Sequence, residues 1–217
     1  MVITIEREFG AGGRSVGRKV ARLLGAKLLD GELVGEVARR LSVGEAEVER
    51  SDERPEPIVD RLLDSMQYLA PGMMPSWQPP EQEWVIGPRR AIVRSMQTAV
   101  KVAAHAGHVV IVGRGGAFLL RDQPGARHVF LHAAEDLRLH VIMSRFMLDA
   151  RAAQARLHSV DAARAAYIRQ LYRADWRDPA NYDLVLNTGR LGHDRAARVV
   201  VAMSALSDRR RDADDPD

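Results

Sequence analysis

The segments HVVIVG at 108–113 and DLVLN at 183–187 are apolar at nearly every position. A strand with one face in water alternates apolar and polar residues. A strand apolar throughout must be covered on both faces, as in a parallel sheet layered between helices. Strands are therefore expected at Val2–Glu6, Lys27–Asp30, His108–Gly113, Arg127–His132 and Asp183–Asn187. Helical patterns separate them. In RSVGRKVARLLG, Val16, Val20, Leu23 and Leu24 share a face, and in GELVGEVARRL, Leu33, Val34, Val37 and Leu41 repeat that geometry. Further helical patterns cover 89–106, 135–147, 160–174 and 193–206. Strand and helix in alternation mean an α/β fold, a parallel sheet with helices on both faces.

The stretch 51–90 breaks this alternation. It holds seven of the ten prolines and two of the three tryptophans. One helix is expected within it, at Ile58–Leu69. The following APGMMPSWQPPEQEW reads as a loop over the mouth of the sheet, a partner-binding flap or a variable surface insertion. With 217 residues, one domain over 1–206 is the simplest organisation. The tail SDRRRDADDPD at 207–217 is charged, unpatterned and expected to be disordered.

Several function classes are disfavoured by composition. No apolar run approaches the roughly 18–20 residues that span a bilayer. The absence of cysteine rules out disulfides and thiolate metal sites. With a start that leads directly into a strand, this gives an expected cytoplasmic location. A net charge of +3 does not suggest nucleic-acid binding. Lys19, Lys27 and Lys101 are the only lysines. Abundant arginine is thus a compositional habit, and only placement can argue for phosphate binding.

The best-placed candidates are in REFGAGGRSVGRK, residues 7–19. Glycines at 10, 12 and 13 leave backbone N–H groups uncovered between strand and helix, and the helix start adds partial positive charge for an anion. Ser15 is placed to cap the helix or to offer a hydroxyl to Mg²⁺. Against the phosphate-loop pattern GxxxxGK[ST], Gly12 takes the second glycine, Gly13 the lysine and Arg7 the first glycine, so the pattern fails. Arg14, unfavourable at a helix start unless an anion offsets it, either supplies the missing charge or is a solvated helix-start arginine. A dinucleotide-binding loop would need glycine at Ser15 and a tighter turn. Asp30, ending the second strand, is either a ligand-orienting acid or the N-cap of the next helix.

Arg114 follows a central strand on the carboxyl edge, where open α/β sheets bind ligands. It is suited to a bidentate phosphate contact or to a structural carboxylate pair. Seven arginines and no lysine lie between Arg145 and Arg177. They read as a phosphate-closing lid or as a solvated face, and Asp161 with Arg164 reads as an intrahelical pair. The residues alone favour the solvated face. NTGRLG puts Asn187, Thr188 and Arg190 on the ligand edge.

The segments ITIEREFGAGGRSVGRKVARLLG, KLLDGELVGEVARRL, VERSDER, VIVGRGGAFLL and VDAARAAYIRQLYRADWRDPANYDLVLNTG together resemble the bacterial cytidylate kinase-like proteins, relatives of the nucleoside monophosphate kinases. The resemblance covers roughly residues 1–205. It implies a P-loop NTPase-like sheet of five parallel strands, an acceptor region within 51–90 and a helical lid at 145–177. It implies ATP and Mg²⁺ as cofactors, with Gly10, Ala11, Gly12, Gly13, Arg14 and Ser15 cradling phosphate and Ser15 touching the metal. Asp30 and Arg114 would bind a small phosphorylated acceptor, CMP-like in the family's name. Arg14, Asp161 and Arg164 would be catalytic, the last two as a D-x-x-R element at the lid. The activity implied is ATP-dependent phosphorylation of a nucleoside monophosphate. The alternative is a weak or inactive nucleotide-binding regulator that keeps the fold. The group lacks the loop lysine, as this chain does, and the 70–88 segment shows no cytidine-reading pattern.

Overall fold

The computed structural model describes residues 1–30 and 88–205. The helices expected near 31–41 and 58–69, the proline-rich stretch through residue 87 and the tail at 207–217 lie outside the described residues.

Within them the chain runs β1 (Val2–Arg7), α1 (Gly13–Leu24), β2 (Lys27–Leu29), α2 (Pro88–Ala106), β3 (Val109–Val112), α3 (Gly116–Leu119), β4 (Ala126–His132), α4 (Glu135–Phe146), α5 (Ala150–Tyr172), a 3₁₀ turn (Pro179–Asn181), β5 (Leu184–Asn187) and α6 (Thr188–Ser204). The five expected strands form one parallel sheet in the order β2-β3-β1-β4-β5. Helix α5 begins ten residues before the expected position, at a cap where the Asp149 carboxylate accepts the Ala152 N–H at 2.8 Å. Helix α6 begins at Thr188 and kinks at Gly192, φ 71°.

The inner strands β1, β3 and β4 are buried on both faces, as the run HVVIVG requires, whereas the edge strand β5 leaves Val185 39% exposed, so DLVLN is not covered on both faces as its apolar run led one to expect. On one face Ile3, Ile5, Val110, Val112, Val129 and Leu131 pack against Val16 and Val20 of α1 and Ala196, Ala197 and Val200 of α6. On the other, Val2, Val109 and Ile111 meet Met96 and Val100 of α2, and Phe130 meets Phe118, Ile168 and Trp176. Side chains alternate along β1, so Arg7 leaves on the face of Ile3 and Ile5 while Glu6 leaves on the other.

Strand order fixes where a ligand can sit. From β1 the chain crosses through α1 to β2, on one side, while β4 pairs on the opposite side. The carboxyl end of β1 is therefore a topological switch point, with a crevice beyond the strand ends.

Candidate active site

Five residues, Glu8 to Gly12, join β1 to α1. This loop is pinned from outside. The Glu8 N–H donates to Leu131 O at 2.9 Å, the Phe9 N–H to Asp161 Oδ1 at 2.8 Å, and Thr188 Oγ1 to Ala11 O at 2.9 Å. Within the loop, Ala11 N–H donates to Glu8 O at 3.2 Å. The N–H groups of Gly10, Gly12, Gly13 and Ser15 donate to nothing among the described residues. The last two lie in the first turn of α1, where a helix offers its own donors no acceptor.

Close approaches explain the glycines. Gly12 caps α1 at φ 75°, a left-handed conformation, and no side chain caps this helix. A Cβ there would lie 2.6 Å from His193 Cδ2. At Gly10 it would meet the α4 backbone and Arg138 Cβ, 2.9 Å away. On Gly13 it would lie 2.5 Å from Arg7 Cγ and 2.9 Å from Cδ, so the Arg7 stem crosses the first residue of α1. The Arg7 head ends against Gly113, where a Cβ would collide with Nη1 and lie 2.9 Å from Cζ.

Three guanidiniums share this electrostatic field. Burial lowers the pKa of Arg7. Arg114 is pulled down to about 10 and Arg164 to about 9, each first by burial and next by the charge of Arg7. Arg114 holds a left-handed backbone, φ 66°, just past β3. That is uncommon for a residue with a side chain, and such strain clusters at functional sites. Beneath them Glu6, 3 % exposed, accepts the Gly116 N–H at 3.0 Å. Burial raises its pKa from the ordinary 4.5.

Arg14 and Asp30 are brought together. Arg14 Nε stands 2.9 Å from Asp30 Oδ2, so a carboxylate at the end of β2 engages the guanidinium expected to serve the loop. Asp161 and Arg164, which the resemblance puts at a lid, both bond to the start of the loop. Asp161 accepts from the Phe9 N–H and from Arg138 Nη1, the latter at 2.6 Å. Arg164 Nη1 donates to Arg7 O at 2.9 Å and lies 3.6 Å from Asp161 Oδ1. Glu8 completes the grip, with Arg177 Nη2 at 3.0 Å and Arg138 Nε at 3.4 Å. Sequence reading missed Glu6, Glu8, Arg138 and the reach of Arg7.

Along α1 runs a cleft of about 430 Å³ lined by Arg14, Ser15, Arg18, Lys19, Arg22 and Arg145. Five cations surround one hydroxyl, of which Asp30 engages Arg14 and Asp194 engages Lys19, and a cleft of this charge suits a polyphosphate. Among the described residues no group of three or more His, Asp or Glu could hold a metal. The Ser15 hydroxyl takes no hydrogen bond among them. This donor set fits a Mg²⁺ carried mainly by substrate phosphates and water, with one protein hydroxyl.

A model described as the cytidylate kinase-like family matches residues 2–190. A search of curated proteins gives no match. Among solved structures, an uncharacterized protein from Eubacterium ventriosum is similar at 20% identity and TM-score 0.69, over 95% of this chain and 99% of that one. Shikimate kinase from Bacteroides thetaiotaomicron is similar at 13% identity and TM-score 0.52, over 95% and 99%. Shikimate kinase from Acinetobacter baumannii, solved with shikimate, follows at 14% identity and TM-score 0.50, over 95% of both chains. At these identities the likeness is one of fold.

Proposed function

Because the chain belongs to the cytidylate kinase-like family, we propose that it transfers a phosphoryl group from ATP to a small acceptor, a nucleoside monophosphate in the first instance. The observation that carries this reading is the set of undonated N–H groups at Gly10, Gly12, Gly13 and Ser15, set beside the Arg7, Arg114 and Arg164 guanidiniums at the switch point. Phosphoryl transfer asks the protein mainly for positioning and charge neutralisation. The backbone of residues 10–15 would cradle the donor phosphates, with Arg18, Lys19 and Arg22 along the adjoining cleft. Ser15 would hold Mg²⁺, which when bound neutralises phosphate charge.

On the acceptor side, the Arg14–Asp30 pair and Arg114 stand at the ends of β2 and β3. An acceptor phosphate oxygen would bond to the γ-phosphorus as the bond to the β–γ bridging oxygen breaks. ADP keeps that electron pair, and a dianionic acceptor has no proton to lose.

Gly13 in the lysine position favours a second reading, a nucleotide-binding regulator with little or no turnover. Measuring ADP formation from Mg-ATP across the common nucleoside monophosphates, with shikimate as a non-nucleotide comparison, separates the two. Turnover with one monophosphate supports the kinase. Tight nucleotide binding with no acceptor-dependent ADP selects the regulator.

A further inference from the structure

The loop has lost the lysine of a standard phosphate loop, yet the volume next to Gly13 is filled by another cationic side chain. We infer that Arg7, the last residue of β1, replaces that lysine and contacts the transferring phosphoryl group. This inference rests on the kinase reading above.

Three observations converge. First, glycine at 13 and arginine at 7 are two halves of one change. Real Cβ atoms do not come as close as the 2.5 Å that separates a built Gly13 Cβ from Arg7 Cγ, so a lysine at 13 and the present Arg7 stem exclude each other. Second, the route of the stem delivers the charge to the right place. It starts at the switch point, crosses the first turn of α1 with its undonated N–H groups, and ends against Gly113 beside Arg114. The head thus lies between the donor-side loop and the acceptor-side arginine, where a phosphoryl group in transit must pass. Third, the guanidinium is held ready. Among the described residues no carboxylate reaches ion-pairing distance of it and no acceptor takes its N–H groups. Glu6, Asp161 and Asp30 act on it only through the field. Its neighbour Arg164 is 9 % exposed, and its Nε likewise has no hydrogen-bond partner. A buried donor left like that Arg164 Nε is uncommon, and an oxyanion between the two guanidiniums would satisfy it.

The alternative for Arg7 is purely structural, a stem that fills space over Gly13. The two are separated by Arg7→Met, which keeps a stem and removes the charge, and by the exchange Arg7→Ala with Gly13→Lys, which restores a standard loop. Each is read by thermal melting, by kcat and KM for ATP with the best acceptor, and by the affinity for ADP with and without aluminium fluoride, a stand-in for the phosphoryl group in flight. Arg7→Met is expected to melt like the wild type and to bind ADP within about threefold. It should lose about 10³-fold in kcat, the scale for a charge clamp in this chemistry, along with the tightening that aluminium fluoride gives. The exchange variant should regain at least tenfold over Arg7→Ala.

Wild-type turnover and wild-type aluminium fluoride tightening in Arg7→Met overturn the assignment. So does a loss of ADP affinity as large as the loss in kcat, since that marks uniform binding rather than contact with the moving group. If the wild type turns over no acceptor, the kinase reading fails alone. The aluminium fluoride measurement then still decides whether Arg7 meets a γ-phosphate-like group.

Discussion

Two clusters of charge flank the carboxyl end of β1, and they are built on opposite plans. Around Asp161 of α5 the charges find partners, save for the Nε of Arg164. Asp161 takes the Phe9 N–H and Arg138, Glu8 takes Arg138 and Arg177, and Arg164 reaches Arg7 O. Across the loop, the Arg7 guanidinium and the N–H groups of Gly10, Gly12, Gly13 and Ser15 are answered by nothing among the described residues. Both clusters are rich in arginine, and composition cannot tell them apart. A satisfied ionic network costs more to break than it contributes over an apolar one, so it serves to hold geometry. An unsatisfied set of donors is what the proposed anion site requires. The first cluster fixes the loop that presents the second.

That contrast is broken most directly through stability. Asp161→Ala removes the nearest counter-charge of Arg138, itself 5 % exposed, and frees the Phe9 N–H. Breaking a buried pair from one side costs about 3–5 kcal/mol. Glu8 at 3.4 Å still partly answers Arg138, so the lower end, about 3 kcal/mol by urea unfolding, is expected. Turnover should fall with it because the loop loses its anchor. Arg7→Met, by contrast, has no bond to lose and should unfold at the wild-type urea concentration. Equal destabilisation in the two variants would mean the clusters are not of two kinds.

Much of this was legible in the chain, for physical reasons. The continuous apolar run at 109–112 marks a doubly covered strand, and all five strands were found within a residue or two of where the pattern puts them; the run at 184–187 overstated burial, because β5 is an edge strand and Val185 is 39% exposed. The glycines of the loop announced bare backbone. The start of α5 was hidden because its buried stripe there is Ala153 and Leu157 only, too little apolar area to show a period. Asp149 three residues before Ala152 was the available signal. The path of Arg7 was not readable, since it depends on β3 lying next to β1 instead of β2. Its trace in the sequence is a pair of glycines, 13 and 113, that bare the backbone on either side of one long side chain. The resemblance singled out Asp161 and Arg164 as a D-x-x-R element, while their spacing alone read as an intrahelical pair, and nothing local says that they hold the loop.

Arg14 sharpens the comparison because it sits between the two plans. Sequence offers it as the loop's replacement cation or as a solvated helix-start arginine, and here Asp30 engages it, with side chains 32% and 13% exposed. A part-exposed pair of this kind contributes at most about 1 kcal/mol. Arg14→Ala should therefore fold normally, raise the KM for the acceptor about tenfold and leave the KM for ATP nearly unchanged. A 10³-fold fall in kcat would restore the reading in which Arg14, not Arg7, serves the phosphoryl group.

The smallest effect concerns the floor beneath the unanswered cluster. Burial holds the Glu6 carboxyl above its ordinary 4.5, despite the opposing charges of Arg7 and Arg164. The unfolded chain thus gives up this proton at lower pH than the folded one. The burden of the buried charge is absent below pH 4.5 and grows as pH rises through the folded pKa. Glu6→Gln keeps an amide oxygen for the Gly116 N–H and removes that burden, so its melting temperature should exceed the wild type's at neutral pH and converge with it toward pH 4.5. A gap of the opposite sign at neutral pH would mean that the ionised carboxylate stabilises the fold through the arginines. Glu6 would then belong with Asp161 among the answered charges, and the border between the two clusters would have to be redrawn through β1 itself.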